Sequence, residues 1–300
     1  MNRTTANIFM TRHSRAGGNP AKKYAPRSGQ NRNMVPLRGR FYTAWITACA
    51  GMTQLIIAIL LLFSSAVTHA EPLTIAVAAN VKYAYDELAA EFKNETGIET
   101  QSVSGSTGKI ASQVKNGAPY DVFISADSET PEALFKDGFA ASQAKIYAYG
   151  ALVLWTKDDL DLSKGLSLLA NVKVQKIAIA NPKLAPYGRA AMQALESAQL
   201  RAAVEPKLVY GESISQTTQF VDSGAADIGF IAKSIVLAPE MSGKGTWVEI
   251  SKGSYEPIAQ AVVVLKHGAE TQAANARRFV DFLFTPNARA IFEKYGYTLP

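Results

Sequence analysis

From residue 71 onward, short runs rich in β-branched and apolar residues alternate with segments whose apolar positions recur every three or four residues. A period of two marks a strand and a period near 3.6 marks a helix. Leu73–Ala79 (LTIAVAA) predicts a buried strand. In the segment after it, Val81, Ala84, Tyr85, Leu88, Ala89 and Phe92 share one helical face, and Gly97 closes the run. Asn80 stands between the two, where an N-cap belongs.

This strand–cap–helix unit occurs three more times. "IETQSVS" predicts a strand, Ser106 and Thr107 the cap region, and Ile110, Ala111 and Val114 the apolar face of the next helix, which ends at Asn116-Gly117. "KIAIANP" (Lys176–Pro182) runs into "KLAPYGRAAMQALESA", where Pro186 suits a first helical turn that has no use for its missing N–H. "KLVYGES" (Lys207–Ser213) runs into "ISQTTQFVDSG", closed by Gly224. Further strands are expected at "YDVFISA", "ALVLWT" (Ala151–Thr156), "ADIGFIA" (Ala226–Ala232) and "PIAQAVVVLKH", and helices at Ala273–Phe284 and Pro286–Tyr295.

Such alternation defines an α/β protein with largely parallel sheets. Two units come early, two come in the middle, and the tail resumes with a strand and helices. That order fits two α/β lobes, one built from residues 71–151 and 233–300 and the other from residues 152–232. Ligands of open α/β sheets bind beyond the carboxyl ends of the strands. Two facing lobes would therefore bring four helix N-termini to one cleft.

Charge changes the picture less than its total suggests. The formal charge is +6, but nine of the 31 Lys and Arg residues lie in the first 70 positions, which hold no Asp or Glu. The remaining 22 basic residues face 25 acidic ones, a net of −3. Nucleic-acid binding loses its electrostatic support. Met52–Ala70 (MTQLIIAILLLFSSAVTHA) reads as a secretory signal peptide cleaved after Ala70, which predicts a periplasmic protein. Residues 1–51 resemble a translated intergenic repeat, which places the natural start at Met52. A competing lipid-anchoring motif, "ITAC" (Ile46–Cys49), has a weaker apolar run before it. Cleavage after Ala70 removes Cys49, the only cysteine, and with it all thiol chemistry.

The caps are the candidate chemistry. A helix N-terminus offers unpaired N–H groups and roughly half a positive charge, and it binds anions without a cationic side chain. Asn80, Ser106, Thr107 and Ser213 add neutral donors beside such ends. Each alone is an ordinary stability cap; four together can surround a small tetrahedral dianion. Reading "SVSGSTGKIASQV" (Ser102–Val114) as a phosphate loop fails on spacing, because G-x-x-x-x-G-K-[ST] needs Gly at Val103 and Ser or Thr at Ile110. Ser106 to Lys109 matches S-x-x-K of serine acyl-transferases, but neither S-D-N nor K-T-G follows. His267 is the only histidine after residue 70, too few for a zinc site or a Ser-His-Asp triad, and is expected on the surface.

Taken together, "AVAANVKYAYDELAAEF", "SGSTGKIASQVKNGAPYDVFISAD", "YGALVLW", "IAIANPKLAPYGRAAMQAL", "SGAADIGFIA" and "EPIAQAVVV" resemble the periplasmic molybdate-binding proteins of ABC importers. The resemblance covers residues 71–300 and implies the two-lobed, type II periplasmic-binding-protein fold with a ligand cleft between the lobes. It implies a non-enzymatic receptor for molybdate or tungstate that works as a monomer, needs no cofactor and delivers its anion to a membrane permease. By position, the family's ligand contacts fall on Asn80 preceded by Ala79, on Thr107 beside Ser106, and on the backbone N–H groups of Tyr187 and Ile214. Hydrogen bonds hold the oxyanion, and no residue ligates the metal directly. Some members add a tyrosine hydroxyl where Ala232 stands here. The alternatives are a receptor for sulfate or another tetrahedral oxyanion, and a serine acyl-transferase using Ser106 and Lys109.

Overall fold

A computed structural model describes residues 71–300. The leader, the cleavage point after Ala70 and the competing motif at Cys49 lie outside the described residues. The elements run β1 (Leu73–Ala78), α1 (Lys82–Thr96), β2 (Thr100–Gly105), α2 (Thr107–Lys115), β3 (Val122–Ile124), α3 (Glu129–Lys136), β4 (Lys145–Gly150) and β5 (Leu152–Thr156). They continue with β6 (Ile177–Ala180), α4 (Pro186–Ser197), α5 (Arg201–Val204), β7 (Leu208–Gly211), α6 (Ile214–Asp222), β8 (Ile228–Ala232), α7 (Lys233–Val236) and β9 (Thr246–Glu249). The chain ends with β10 (Ile258–Val264), α8 (Lys266–Thr271), α9 (Ala273–Phe282) and α10 (Pro286–Lys294).

Two five-stranded sheets result, ordered β2-β1-β3-β10-β4 and β7-β6-β8-β5-β9. In each, the first three strands are parallel and the fourth runs antiparallel to both of its neighbours. That antiparallel strand, β10 in one sheet and β5 in the other, is the one the chain reaches after crossing between lobes. The strand order reverses direction at β1 and at β6, so the crevices that open beyond their carboxyl ends are the natural ligand positions. The expected return at residue 232 is too early. Strand β9 pairs with β5 as an edge of the second sheet, Trp155 opposite Trp247, so the second lobe reaches Glu249 and the crossing falls between there and Ile258. The sequence of β9 is short and its first two residues are exposed, so it carries little apolar signal.

The core follows the sequence periodicity. Strand β1 is buried on both faces, as a parallel strand between helices must be. Helix α1 buries Ala84, Tyr85, Leu88 and Phe92, and Gly97 ends it in the left-handed conformation at φ 73°, its N–H donating to Lys93 O at 2.8 Å. Phe92 meets Phe279 of α9 edge-on with centroids 5.0 Å apart. Truncating a fully buried phenylalanine costs about 3–5 kcal/mol, which makes this contact one of the anchors of the first lobe. Among the described residues no helix is long and apolar enough to cross a membrane.

Candidate functional site

The crevices beyond β1 and β6 face each other, and four helix starts meet there. A small cavity is lined by Ala78, Ala79 and Asn80 ahead of α1, Ser106 and Thr107 at α2, Ala185, Pro186 and Tyr187 at α4, and Ile214 at α6, with Ala126 closing one side. The cavity volume is only about 10 Å³, close to the room one water-sized sphere occupies. Pockets for drug-sized ligands run to about 300–1,000 Å³, so this one excludes ligands of that size.

Its chemistry is donor-rich and uncharged. Gly108 N–H is spent on Leu184 O of the opposite lobe at 2.9 Å, and Gln216 N–H on Ser213 Oγ at 3.3 Å. The first-turn N–H groups of Thr107, Tyr187 and Ile214 have no protein partner among the described residues. Ser106 is 3% exposed, and its Oγ is the buried side-chain oxygen that finds no hydrogen-bond partner among the described residues. It occupies the N-cap position of α2 with extended backbone, yet makes no capping bond. A buried hydroxyl left without a partner costs about 1–3 kcal/mol, so its retention inside a ring of free amides points to a ligand that supplies the missing acceptor.

No Lys, Arg, Asp or Glu lines the cavity. The nearest cations are already paired across the lobes: Lys109 Nζ lies 2.5 Å from Glu212 Oε1, half exposed, and Arg189 Nη2 lies 2.7 Å from Asp127 Oδ2. Asp127 is 7% exposed and its carboxylate also accepts from Thr130 N–H and from the Ser125 hydroxyl, so Arg189 neutralises a buried carboxylate instead of serving the cavity. Tyr187, the one ionisable lining residue, has its phenol pushed well above its ordinary range, first by burial and then by Tyr297 nearby, so it stays neutral. What remains to attract a ligand is the positive end of four helices, which favours an anion. The serine acyl-transfer reading loses its support: Lys109 pairs with Glu212, and Ser106 Oγ has no base within hydrogen-bond reach to activate it.

All six residues named from the sequence, Ala79, Asn80, Ser106, Thr107, Tyr187 and Ile214, line the one cavity. Two of them are used differently from expectation. Asn80 does not cap α1; the turn Ala79–Val81 intervenes, Val81 N–H bonds Ala78 O at 2.8 Å, and Val81 takes the cap position. The Asn80 amide nitrogen instead reaches Gln260 Oε1 at 2.9 Å, Tyr297 Oη at 3.1 Å and Tyr187 Oη at 3.5 Å. Its side-chain donors are therefore committed within the protein. Thr107 Oγ1 accepts a bond from Ala126 N–H at 3.3 Å, which leaves its own proton free, whereas Ser106 carries the unpartnered oxygen. Ala232 is fully buried at the end of β8 and adds no hydroxyl.

Sequence reading misses the second ring of polar residues. Gln260 on β10 is fully buried and joins Asn80, Tyr187 and Tyr147, the last at 2.9 Å. Tyr297 donates to Asn80 O at 3.0 Å, and Ser234 of the second lobe donates to the same oxygen at 2.7 Å. Their only signal is a glutamine inside the apolar run "PIAQAVVV", which the pattern alone does not connect to residue 80. His267 is half exposed; its Nδ1 lies 2.9 Å from Asp121 Oδ1, and the same carboxylate accepts from Thr74 N–H at 2.7 Å. That cluster ties α8 to the first sheet on the far side of the lobe.

The sequence pattern of the bacterial extracellular solute-binding proteins matches residues 73–298, nearly all of the described chain. The molybdate-binding protein ModA of Rhodobacter capsulatus is 41% identical over 224 residues, covering 74% of this chain and 86% of that protein. ModA of Azotobacter vinelandii is 37% identical over 250 residues, covering 83% of this chain and 98% of that protein. The solved structure of the periplasmic molybdate-binding protein of Azotobacter vinelandii superposes with a TM-score of 0.71 over 76% of this chain and 99% of that one. With the two sheets, the interlobe cavity and these likenesses in agreement, the chain belongs to the bacterial extracellular solute-binding protein family.

Proposed function

We propose that the protein captures molybdate, and tungstate with it, in the cavity between its lobes and hands it to the permease of an ATP-driven importer in the periplasm. The observation that carries this reading is the Ser106 hydroxyl, buried without a partner among four helix N-termini and with no cation beside it. Free amides and hydroxyl protons donate to a fully ionised oxyanion from several directions, and dipole charge balances it without a salt bridge. The reading also draws on the likeness to proteins named for molybdate binding at 37–41% identity. In this reading the protein works as a monomer and needs no cofactor.

The same geometry disfavours phosphate. Near neutral pH that anion keeps a proton, and no carboxylate lines the cavity to accept it. Sulfate is the closer competitor, being a bare dianion, and only size separates it from molybdate. Calorimetric titration with molybdate, tungstate, sulfate and phosphate decides the matter. One-to-one binding of molybdate and tungstate, at least about a hundredfold tighter than sulfate (about 2.8 kcal/mol), is the expected result. Sulfate binding as tightly as molybdate would overturn the assignment in favour of a general oxyanion receptor.

A further inference from the structure

The Tyr187 side chain belongs to the second lobe but ends inside the first. Its backbone N–H lines the cavity at the start of α4, while its hydroxyl accepts from Gln260 Nε2 at 3.1 Å and lies 3.5 Å from Asn80 Nδ2. Gln260 and Asn80 both belong to the first lobe. The docking place is at the crossing itself. Gly150 is the last residue of β4, two residues before the chain enters the second lobe at Leu152, and a methyl group there would stand 2.1 Å from Tyr187 Oη and 2.5 Å from Gln260 Nε2. The glycine leaves the space that the hydroxyl fills. Around it, Tyr147 and Tyr187 are fully buried phenols pushed well above their ordinary range by burial, so the cluster is held by neutral hydrogen bonds.

We propose that the Tyr187 hydroxyl, received by Gln260 and Asn80 beside Gly150, is a latch that holds the two lobes closed and so sets how fast the anion leaves. This rests on the reading of the cavity as the anion site. Opening the lobes withdraws the hydroxyl and leaves Gln260 Nε2 without its acceptor, a cost that falls on the open state alone. The same residue presents an amide to the cavity and a hydroxyl to the crossing, so occupancy at one end and closure at the other share a single rigid side chain. Gln260 is a positioning residue here: it touches no ligand and acts by fixing Asn80 and Tyr187 together.

Tyr187→Phe removes the hydroxyl and keeps the ring and the backbone N–H; Gln260→Leu removes the receiver and serves if the first variant unfolds. The interlobe distance is read by spin labels on introduced cysteines at Lys136 and Val172, exposed positions in different lobes, with Cys49 replaced by Ser. Molybdate association and release are followed by stopped-flow tryptophan fluorescence. The expected result is a smaller closed fraction and molybdate release about tenfold faster, with association within twofold of the parent. Gly150→Ala should do the same more strongly, because its methyl group occupies the docking place. A closed fraction and release rate equal to the parent's in the folded variants would overturn the latch. A parent that binds no molybdate would overturn the anion reading alone, since the distance distributions still decide the latch.

Discussion

Two helices of this protein begin with a hydroxyl residue in the cap position and extended backbone, and they use it in opposite ways. At α10, Thr285 Oγ1 accepts from Ala288 N–H, the ordinary bond that satisfies one orphan donor of the first turn. At α2, Ser106 has the same placement and makes no such bond; its oxygen is buried and unpartnered. Helix α6 stands between them, since Ser213 caps Gln216 N–H and so leaves the Ile214 N–H to face the cavity. A cap that is spent on its own helix stabilises the fold, and a cap that is withheld is available to a ligand. The difference cannot be seen in local sequence, where both are a hydroxyl ahead of an amphipathic run.

The sharpest break between the two is expected from Ser106→Ala. Hydrogen bonds to charged groups contribute about 1.5–3 kcal/mol, so molybdate affinity should fall roughly ten- to a hundredfold by calorimetry. Next comes Thr285→Ala, which should lower unfolding stability by about 1 kcal/mol in denaturant titration and leave molybdate affinity within twofold. Lys109→Ala tests whether charge matters at all. Its pair with Glu212 is half exposed on both sides, worth at most about 1 kcal/mol, so affinity should fall by less than about fivefold. Loss by several orders of magnitude would show that the lysine, not the helix ends, holds the anion. The smallest effect is expected from pH. Tyr187 is the only ionisable residue lining the cavity and burial raises its phenol, so molybdate affinity should be flat between about pH 6 and 9.

The sequence was legible where local pattern is sufficient. The apolar period of α1 places Ala84, Tyr85, Leu88 and Phe92 inside, and Gly97 ends the helix in the one conformation that favours glycine. Asn80, Ser106 and Thr107 were legible because each sits at a strand-to-helix junction, and the fold brings such junctions together at the switch points of its two sheets, whereas Ala79, Tyr187 and Ile214 followed only from the family resemblance. What stayed hidden depends on partners far away in the chain. Asn80 reads as a cap, but its amide is claimed by Gln260 and Tyr297, 180 and 217 residues on. Strand β9 is four residues at a sheet edge, too short and too exposed to show a period, and the second lobe therefore reaches further than its strong strands suggest.

The most direct test is thermal unfolding of the parent and of Ser106→Ala, each with and without molybdate. Without ligand, removing a buried oxygen that has no partner should leave the melting temperature unchanged or raise it. With ligand, the variant should lose part of the molybdate-induced rise, by the roughly 1.4–2.8 kcal/mol that a ten- to hundredfold weaker affinity removes from mass-action stabilisation. A variant that melts several degrees lower without ligand, yet gains as much from molybdate as the parent does, would show that the Ser106 hydroxyl serves the helix and not the anion.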